Sequence, residues 1–290
     1  MTSSDVRASV VDERASISGS RRYQLTSTSV GETYQIDVAL PANGLGQDHP
    51  LTVVYVLDGN TVFGIAAQAA RFLQQADGAA PALLVGVGYC LDGVIRPRDA
   101  YGLLRMRDFT ASRDAGFLAT ITEARQGRPG PEGVRPWGGA DAFLQFLTGE
   151  LRPFIAGEYD VDPARQILVG SSLGGLFSLY AMLKRPGAFA AYGANSPSLW
   201  WNEGELFRIE EAFAFQSATL DTELFMSVGG LETEAPWSML EGVQRLTERL
   251  QGRGHAGLTV TSHVFEGETH TSVIPAALSR TLRTLLRKSD

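Results

Sequence analysis

The sequence has little cysteine, no long apolar run and no excess of positive charge. Its single cysteine, Cys90, cannot form an internal disulfide, which favours a cytoplasmic location. No window approaches the roughly 18–20 consecutive apolar residues that a membrane helix needs. Residues 1–20 are polar and lack the apolar core of a secretory signal. We therefore expect a cytoplasmic protein without a membrane partner, with residues 1–20 as a flexible tail.

The net charge and the lack of ligand motifs exclude further classes. A net charge of −7 over 290 residues argues against non-specific binding to nucleic acid. No group of cysteine and histidine has the spacing of metal ligands, and no glycine-rich loop matches a phosphate cradle. We expect neither a metal nor another cofactor, and no nucleic-acid partner.

Apolar runs that barely alternate recur along the chain, as is typical of strands buried on both faces of a sheet. They are "LTVVYVL", "ALLVGVGY", "QILVGS" and "LFMSVGG". Amphipathic helical patterns lie between and after them, and "RYQLTSTSV" and "TYQIDVALP" predict a hairpin. The alternation predicts an α/β fold over residues 21–290, a single domain whose mostly parallel sheet carries helices on both faces.

One segment does not fit this alternation. Residues 96–139 are rich in arginine, glycine and proline. A connection of this length inside a compact domain is usually a lid or pocket wall, or else disordered. We expect this segment to be an insertion over the active site.

The pentapeptide at residues 170–174 fits G-x-S-x-G, with Ser172 at its centre. A predicted strand precedes it and a predicted helix follows it, which is the context that a nucleophile elbow requires. Glycines two residues before and after the serine are needed because side chains there would collide on a strained turn. Ser172 is therefore a candidate nucleophile. The alternative is a strand-to-helix junction of small residues without chemistry.

A serine hydroxyl needs a base within hydrogen-bond reach. His270 follows the end of the predicted strand "LTVTSHVF" and precedes the last helix, and active sites of open α/β sheets lie at such strand ends. His263 lies inside that strand, and His255 lies in a turn at its other end. We predict His270 as the base; the alternative is a loop histidine at a helix start.

The acid of the triad should follow the strand "ELFMSVGG", because the chain order in this fold is serine, acid, histidine. Glu232 comes directly after the two glycines, whereas Glu234 is nearer the next helix, where an acid also favours the helix dipole. We prefer Glu232 and keep Glu234 as its competitor.

Acyl transfer also needs donors for the developing oxyanion. One is the backbone N–H of Leu173, which follows the candidate nucleophile. The second should come from the loop after "YVLDGN", where we assign the N–H of Asn60, with Gly59 giving the turn its freedom. The alternative for this loop is an ordinary Asp-Gly turn.

Six segments carry a resemblance that runs from about Tyr23 to the C-terminus. In chain order they are "VLDGNTVF", "GGADAFLQFLTGELRPFI", "ILVGSSLGGLFSLY", "GANSPSLWW", "SVGGLETE" and "GETHTSVIPAAL". With them the chain resembles the putative-esterase family of α/β-hydrolases, which includes the ferric-enterochelin and related siderophore esterases.

The resemblance implies the α/β-hydrolase fold and carboxylic-ester hydrolysis. We expect a small-molecule ester or lactone to be cleaved through an acyl-enzyme; a siderophore trilactone, a short acyl ester and an acylated small metabolite are the alternatives for this substrate. It implies Ser172 as nucleophile, His270 as base and Glu232 as acid, although some members are described with a serine–histidine dyad. Mycolyltransferases share the L-D-G loop, so acyl transfer at the same site is one alternative. A catalytically silent binding protein of the same fold is the other.

Three further residues are candidates for contact with the substrate. Arg107 in "RMRDFT" either holds a substrate carboxylate by a forked contact or pairs internally with Asp108. Trp200 and Trp201 follow the strand after the nucleophile helix. They either form the wall of an acyl or aromatic pocket or belong to the core under a loop.

Overall fold

A computed structural model describes residues 17–44, 49–76, 78–94, 97–124, 137–234 and 237–287. Residues 1–16 of the predicted tail lie outside this range, as do residues 96 and 125–136 of the predicted insertion. Of the remaining tail residues, Ile17 packs against the core and Ser20 begins the first strand.

The described residues form one eight-stranded sheet. Its strands are β1 (Ser20–Thr26), β2 (Thr33–Ala39), β3 (Leu51–Leu57), β4 (Ala82–Tyr89), β5 (Val161–Ser171), β6 (Ala191–Asn195), β7 (Thr219–Gly229) and β8 (Ala256–Phe265). Their order is β1-β2-β4-β3-β5-β6-β7-β8. The pairs β1–β2 and β2–β4 are antiparallel, and all others are parallel. The predicted hairpin and the mostly parallel sheet are confirmed.

The helices lie on both faces of this sheet. They are α1 (Gly59–Ala76), α2 (Pro97–Phe109), α3 (Ala115–Ala124), α4 (Ala140–Phe146), α5 (Arg152–Glu158), α6 (Leu173–Lys184), α7 (Trp201–Gln216), α8 (Met239–Arg253) and α9 (Ile274–Leu285). A π-helical turn, Leu147–Leu151, joins α4 to α5. Among the described residues, no helix combines the length and apolarity needed to cross a membrane.

The buried strands sort their side chains into two cores. Val54 and Val56 of β3 face one core with α1 and α9, whereas Val53, Tyr55 and Leu57 face the other with α2, α4 and α6. Successive side chains of a strand point to opposite faces of the sheet, and here both faces are covered. This double burial is the reason why the sequence of these strands barely alternates.

Where it is described, the segment predicted as an insertion consists mostly of helices α2 and α3. Asp108 of α2 is fully buried. Its carboxylate accepts hydrogen bonds from Tyr34 Oη at 2.7 Å, Tyr89 Oη at 3.1 Å and Arg107 Nε at 2.7 Å. Helix α2 is therefore anchored on strands β2 and β4.

The sheet order brings the carboxyl ends of five neighbouring strands to one edge. These are β3, β5, β6, β7 and β8, which run parallel to one another. The segments that follow them hold Asp58, Ser172, Ser196, Glu232 and His270, in this order. The predicted site residues are thus gathered on adjacent segments.

Candidate active site

Ser172 lies on a strained turn between β5 and α6, with φ 59° and ψ −122°. A Cβ atom on Gly170 would lie 2.2 Å from the carbonyl oxygen of Gly174, so the turn admits only glycine there. At Gly174 the constraint is milder, because a Cβ would meet its nearest atom at 3.3 Å. The end of β6 supports the strained backbone, since the Ser172 N–H donates to the carbonyl of Asn195 at 2.9 Å.

The hydroxyl of Ser172 faces a second serine. Its Oγ lies 3.3 Å from the Oγ of Ser198, which is fully buried. The N–H of Ser198 also donates to the Ser172 carbonyl at 3.1 Å. Among the described residues, no hydrogen bond joins Ser172 Oγ to His270. Catalytic hydrogen bonds are often long without substrate and shorten in the complex.

His270 and Glu232 are in direct contact. The Nδ1 of His270 lies 2.5 Å from Oε2 of Glu232, which leaves Nε2 of the ring for another partner. The carboxylate is buried, whereas the His270 side chain is 41% exposed. Glu234 is exposed. Of the two glutamates that the sequence left in competition, Glu232 is therefore the one that reaches the histidine.

Two donors hold the other oxygen of the Glu232 carboxylate. Oε1 accepts hydrogen bonds from Ser196 Oγ at 2.6 Å and from the Gly229 N–H at 2.7 Å. Burial alone would raise the pKa of Glu232, but the hydrogen bonds from His270, Ser196 and Gly229 lower that pKa below its usual value. The carboxylate is thus held in its charged form beside the imidazole.

The loop after β3 packs closely against β4. The side chain of Asn60 accepts from the Tyr89 N–H at 2.7 Å and donates to the Tyr89 carbonyl at 2.9 Å. A Cβ on Gly59 would lie 2.8 Å from the backbone of Gly86. Asn60 is in the first turn of α1 and Leu173 in the first turn of α6. The N–H groups of a first helical turn have no partner within their helix and favour a negative charge.

The guanidinium of Arg107 forms ion pairs within the protein. Its Nε donates to Asp108 at 2.7 Å and its Nη1 to Glu32 at 3.2 Å. Of the two interpretations of Arg107, the structure has the internal ion pair, which leaves no fork for a substrate carboxylate.

The two tryptophans differ in exposure. Trp201 is 1% exposed and its indole N–H donates to the Ser112 carbonyl at 3.1 Å. Its prediction as a substrate contact is therefore wrong, because the ring belongs to the core under the insertion. Trp200 is half-buried, with ring centroids 5.0 Å from Phe117 and 5.8 Å from Trp237.

Trp200 and Trp237 line a cleft of about 400 Å³ together with Leu199, Phe207 and Ser238. Leu199 follows Ser198, the neighbour of the candidate nucleophile, and Ser238 Oγ donates to the Glu232 carbonyl at 3.4 Å. Two lining residues of the cleft are therefore linked to the candidate site, Leu199 along the chain and Ser238 by a hydrogen bond. A larger cleft of about 600 Å³ lies at the amino ends of the strands, on the opposite edge of the sheet.

Ser196 and Ser198 were not assigned a role from the sequence. The only signal was their place in "NSPSLWW", after the strand that follows the nucleophile helix. Within the described ranges, no group of three or more histidine, cysteine, aspartate or glutamate side chains is placed to hold a metal ion.

Comparison with known proteins shows the family of the chain. The family model described as Putative esterase matches residues 121–285. Ferri-bacillibactin esterase BesA of Bacillus subtilis is 32% identical over 274 residues, which cover 92% of this chain and 89% of BesA. The siderophore triacetylfusarinine C esterase of Aspergillus fumigatus is 31% identical over 284 residues, or 87% of this chain and 88% of that enzyme.

Solved structures match over nearly the whole length. The BES protein from Bacillus cereus superposes with a TM-score of 0.78 at 32% identity, covering 96% of this chain and all of that one. Siderophore hydrolase EstB from Aspergillus nidulans superposes with a TM-score of 0.77 at 26% identity, covering 95% and 97%. The fold is that of an α/β-hydrolase. The chain belongs to the Putative esterase family.

Gly170→Ala should prevent the elbow from forming, because the added Cβ would overlap the Gly174 carbonyl. We expect a loss of roughly 3 kcal/mol or more in the free energy of unfolding, measured by urea denaturation. Gly102→Ala is the control: a Cβ there meets nothing within 4 Å, so this helical position should gain about 0.5–1 kcal/mol. Wild-type stability in Gly170→Ala would contradict the steric argument.

Ser196→Ala should destabilise the protein in a pH-dependent way. A carboxylate whose folded pKa is lowered stabilises the fold above its unfolded pKa, and this stabilisation is lost as the pH falls through the folded pKa. Removing the Ser196 donor raises the folded pKa of Glu232. The variant should therefore lose about 1–2 kcal/mol at pH 7 and less near pH 4, measured by urea unfolding.

The control for this experiment is Ser262→Ala, which removes an exposed hydroxyl from β8. It should change the free energy of unfolding little at either pH. An equal loss at pH 7 and pH 4 in Ser196→Ala would mean that the hydrogen bond to Glu232 does not lower the pKa of that carboxyl.

Proposed function

We propose that this protein is a serine-dependent carboxylic-ester hydrolase that acts through an acyl-enzyme. One observation carries the proposal: the His270–Glu232 pair, 2.5 Å between Nδ1 and Oε2, follows the same sheet edge as Ser172 on its strained elbow. Nucleophile, base and orienting acid are the three parts of a serine hydrolase triad. Membership of the Putative esterase family supports the same reaction.

In the proposed mechanism, Nε2 of His270 takes the proton of Ser172 Oγ as that oxygen attacks the ester carbonyl carbon. The N–H groups of Asn60 and Leu173 donate to the oxyanion that forms. The carbonyl re-forms, His270 gives its proton to the departing alcohol, and an acyl ester remains on Ser172. His270 then takes a proton from the water that attacks the acyl carbon, and it returns this proton to Ser172 Oγ as the bond between Oγ and the acyl carbon breaks and the acid leaves. Glu232 stabilises the imidazolium in both halves.

We propose a siderophore-like ester or lactone as the substrate. BesA and the Aspergillus fumigatus enzyme are named for siderophores, ferri-bacillibactin and triacetylfusarinine C. The cleft beside the site, with Trp200 and Trp237, would receive the bulky part of such a substrate. The His270 side chain is 41% exposed, so the base is open to water, which is the acceptor in hydrolysis.

Replacing Ser172 or His270 by alanine should lower kcat for p-nitrophenyl acetate by about 10³-fold or more with the fold retained. A fluorophosphonate probe should give a single adduct on Ser172 by mass spectrometry and none in Ser172→Ala. His263→Ala is the matched control, because this histidine lies in β8 against Phe265 and should leave kcat within about twofold. Labelling elsewhere, or wild-type turnover in Ser172→Ala, would overturn the proposal.

Trp237→Ala should weaken the binding of a large substrate. The Trp237 ring is 44% exposed and lines the cleft, so its loss should raise KM for ferri-bacillibactin roughly tenfold. KM for p-nitrophenyl acetate should change less than about twofold, because the acetyl group does not extend into the cleft. Phe215→Ala, at the end of α7 and 83% exposed, is the control. Equal KM changes for both esters would place the substrate elsewhere.

A further inference from the structure

A buried carboxylate lies near both segments that carry the donors proposed for the oxyanion. Asp58 joins β3 to α1 with a left-handed backbone, φ 60°, and its side chain is 7% exposed. Asn60 is two residues further on. On the other side, a Cβ on Gly174 would lie 3.3 Å from Asp58 Oδ2, so the carboxylate reaches the first turn of α6, where Leu173 lies.

Arg105 of helix α2 forms a bidentate ion pair with this carboxylate. Its Nε donates to Asp58 Oδ1 and its Nη2 to Oδ2, each at 2.8 Å. Tyr101, one turn earlier on α2, donates its hydroxyl to Oδ1 at 2.6 Å. The same Nη2 also donates to the carbonyl of Ser171, directly before the nucleophile, at 3.3 Å. The guanidinium of Arg105 therefore contacts both the loop after β3, which holds Asp58 and Asn60, and the elbow at Ser172.

We propose that Arg105 is a positioning residue for the oxyanion site, which rests on the serine-esterase function proposed above. Its fork fixes Asp58, and through it the turn that presents the Asn60 N–H, against the elbow that presents the Leu173 N–H. It also neutralises the Asp58 carboxylate. An unpaired carboxylate at this place would repel the negative charge that develops on the substrate oxygen.

Helix α2 is attached to the sheet by a different ion pair from the one that Arg105 forms. Arg107 and Asp108 anchor the helix to the sheet through Tyr34 and Tyr89. Arg105 instead contacts Asp58, directly after β3, and Ser171, the last residue of β5. Helix α2 thus has one set of contacts that holds it in place and another that reaches the site.

The test compares Arg105→Lys, Arg105→Met and the double variant Asp58→Asn/Arg105→Met with the wild type. We expect kcat for p-nitrophenyl acetate to fall about 100-fold in Arg105→Met and about tenfold in Arg105→Lys, which keeps the charge but loses the fork. KM should stay within about threefold, since the ground-state carbonyl carries little charge. The rate of fluorophosphonate labelling at Ser172 should fall in parallel with kcat.

The double variant distinguishes positioning with charge neutralisation from packing. Asp58→Asn removes the carboxylate that Arg105→Met leaves unpaired, so the double variant should recover about fivefold or more in kcat over Arg105→Met. A role in packing alone predicts no recovery.

Arg249→Lys and Arg249→Met are the control variants. Arg249 of α8 donates to the fully buried Glu210 of α7, at 2.8 Å from Nε, so the same type of contact is changed away from the site. Kinetics are measured at least 15 °C below the Tm of each variant. The inference is overturned if both Arg105 variants stay within twofold of the wild type, or if their losses match those of the Arg249 variants.

Two further outcomes are also decisive. If Arg105→Met does not fold, kcat is compared for Arg105→Lys and Asp58→Asn, with Arg249→Lys as the control for both. The same limits apply: values of kcat within twofold of the wild type, or losses equal to that of Arg249→Lys, overturn the inference. If the wild type gives no fluorophosphonate adduct on Ser172, the proposed function fails and the role of Arg105 fails with it. An adduct on wild-type Ser172 with unchanged rates in the Arg105 variants overturns only the role of Arg105.

Discussion

The close contact between the end of β5 and the start of α6 sets the geometry on which the other parts of the site depend. With 2.2 Å between a hypothetical Cβ of Gly170 and the Gly174 carbonyl, the chain reverses without room for a side chain, and Ser172 adopts a left-handed backbone. Hydrogen bonds with Asn195 and Ser198 hold this strained residue in place. The turn sets the Ser172 hydroxyl beside Ser198 and begins a helix directly behind it, so that the proposed nucleophile and the proposed oxyanion donor are consecutive residues.

The segment after β6 links both ends of the proposed triad. Ser198 contacts Ser172, and Ser196 donates to the Glu232 carboxylate two strands away from the nucleophile strand. A buried carboxylate is stable in its charged form only when its oxygens are satisfied, and Glu232 has three donors. A displacement of this one segment would therefore change the position of Ser172 and the charge of Glu232 together.

The sequence predicted the strands, the elbow and the histidine because each has a local signal: an apolar run, a glycine pattern or a place at a strand end. The pairing of Glu232 rather than Glu234 with His270 needed only the distance from the end of β7. Ser196 and Ser198 had no such signal, since their partners follow from the sheet order β5-β6-β7. Helix α2 was missed because arginine, glycine and proline obscure its apolar period, and its tertiary contacts with the sheet stabilise it.

Within its described residues, the insertion contacts both the sheet and the proposed site. On α2, Asp108 binds the sheet and Arg105 reaches the oxyanion loop, so this helix is part of the scaffold of the site rather than a cover that lies loosely over it. Phe117 of α3 instead packs against Trp200, which lines the cleft. Because the two helices contact different parts of the site, substitutions on α3 can alter the shape of the cleft without moving the groups proposed for the chemical step.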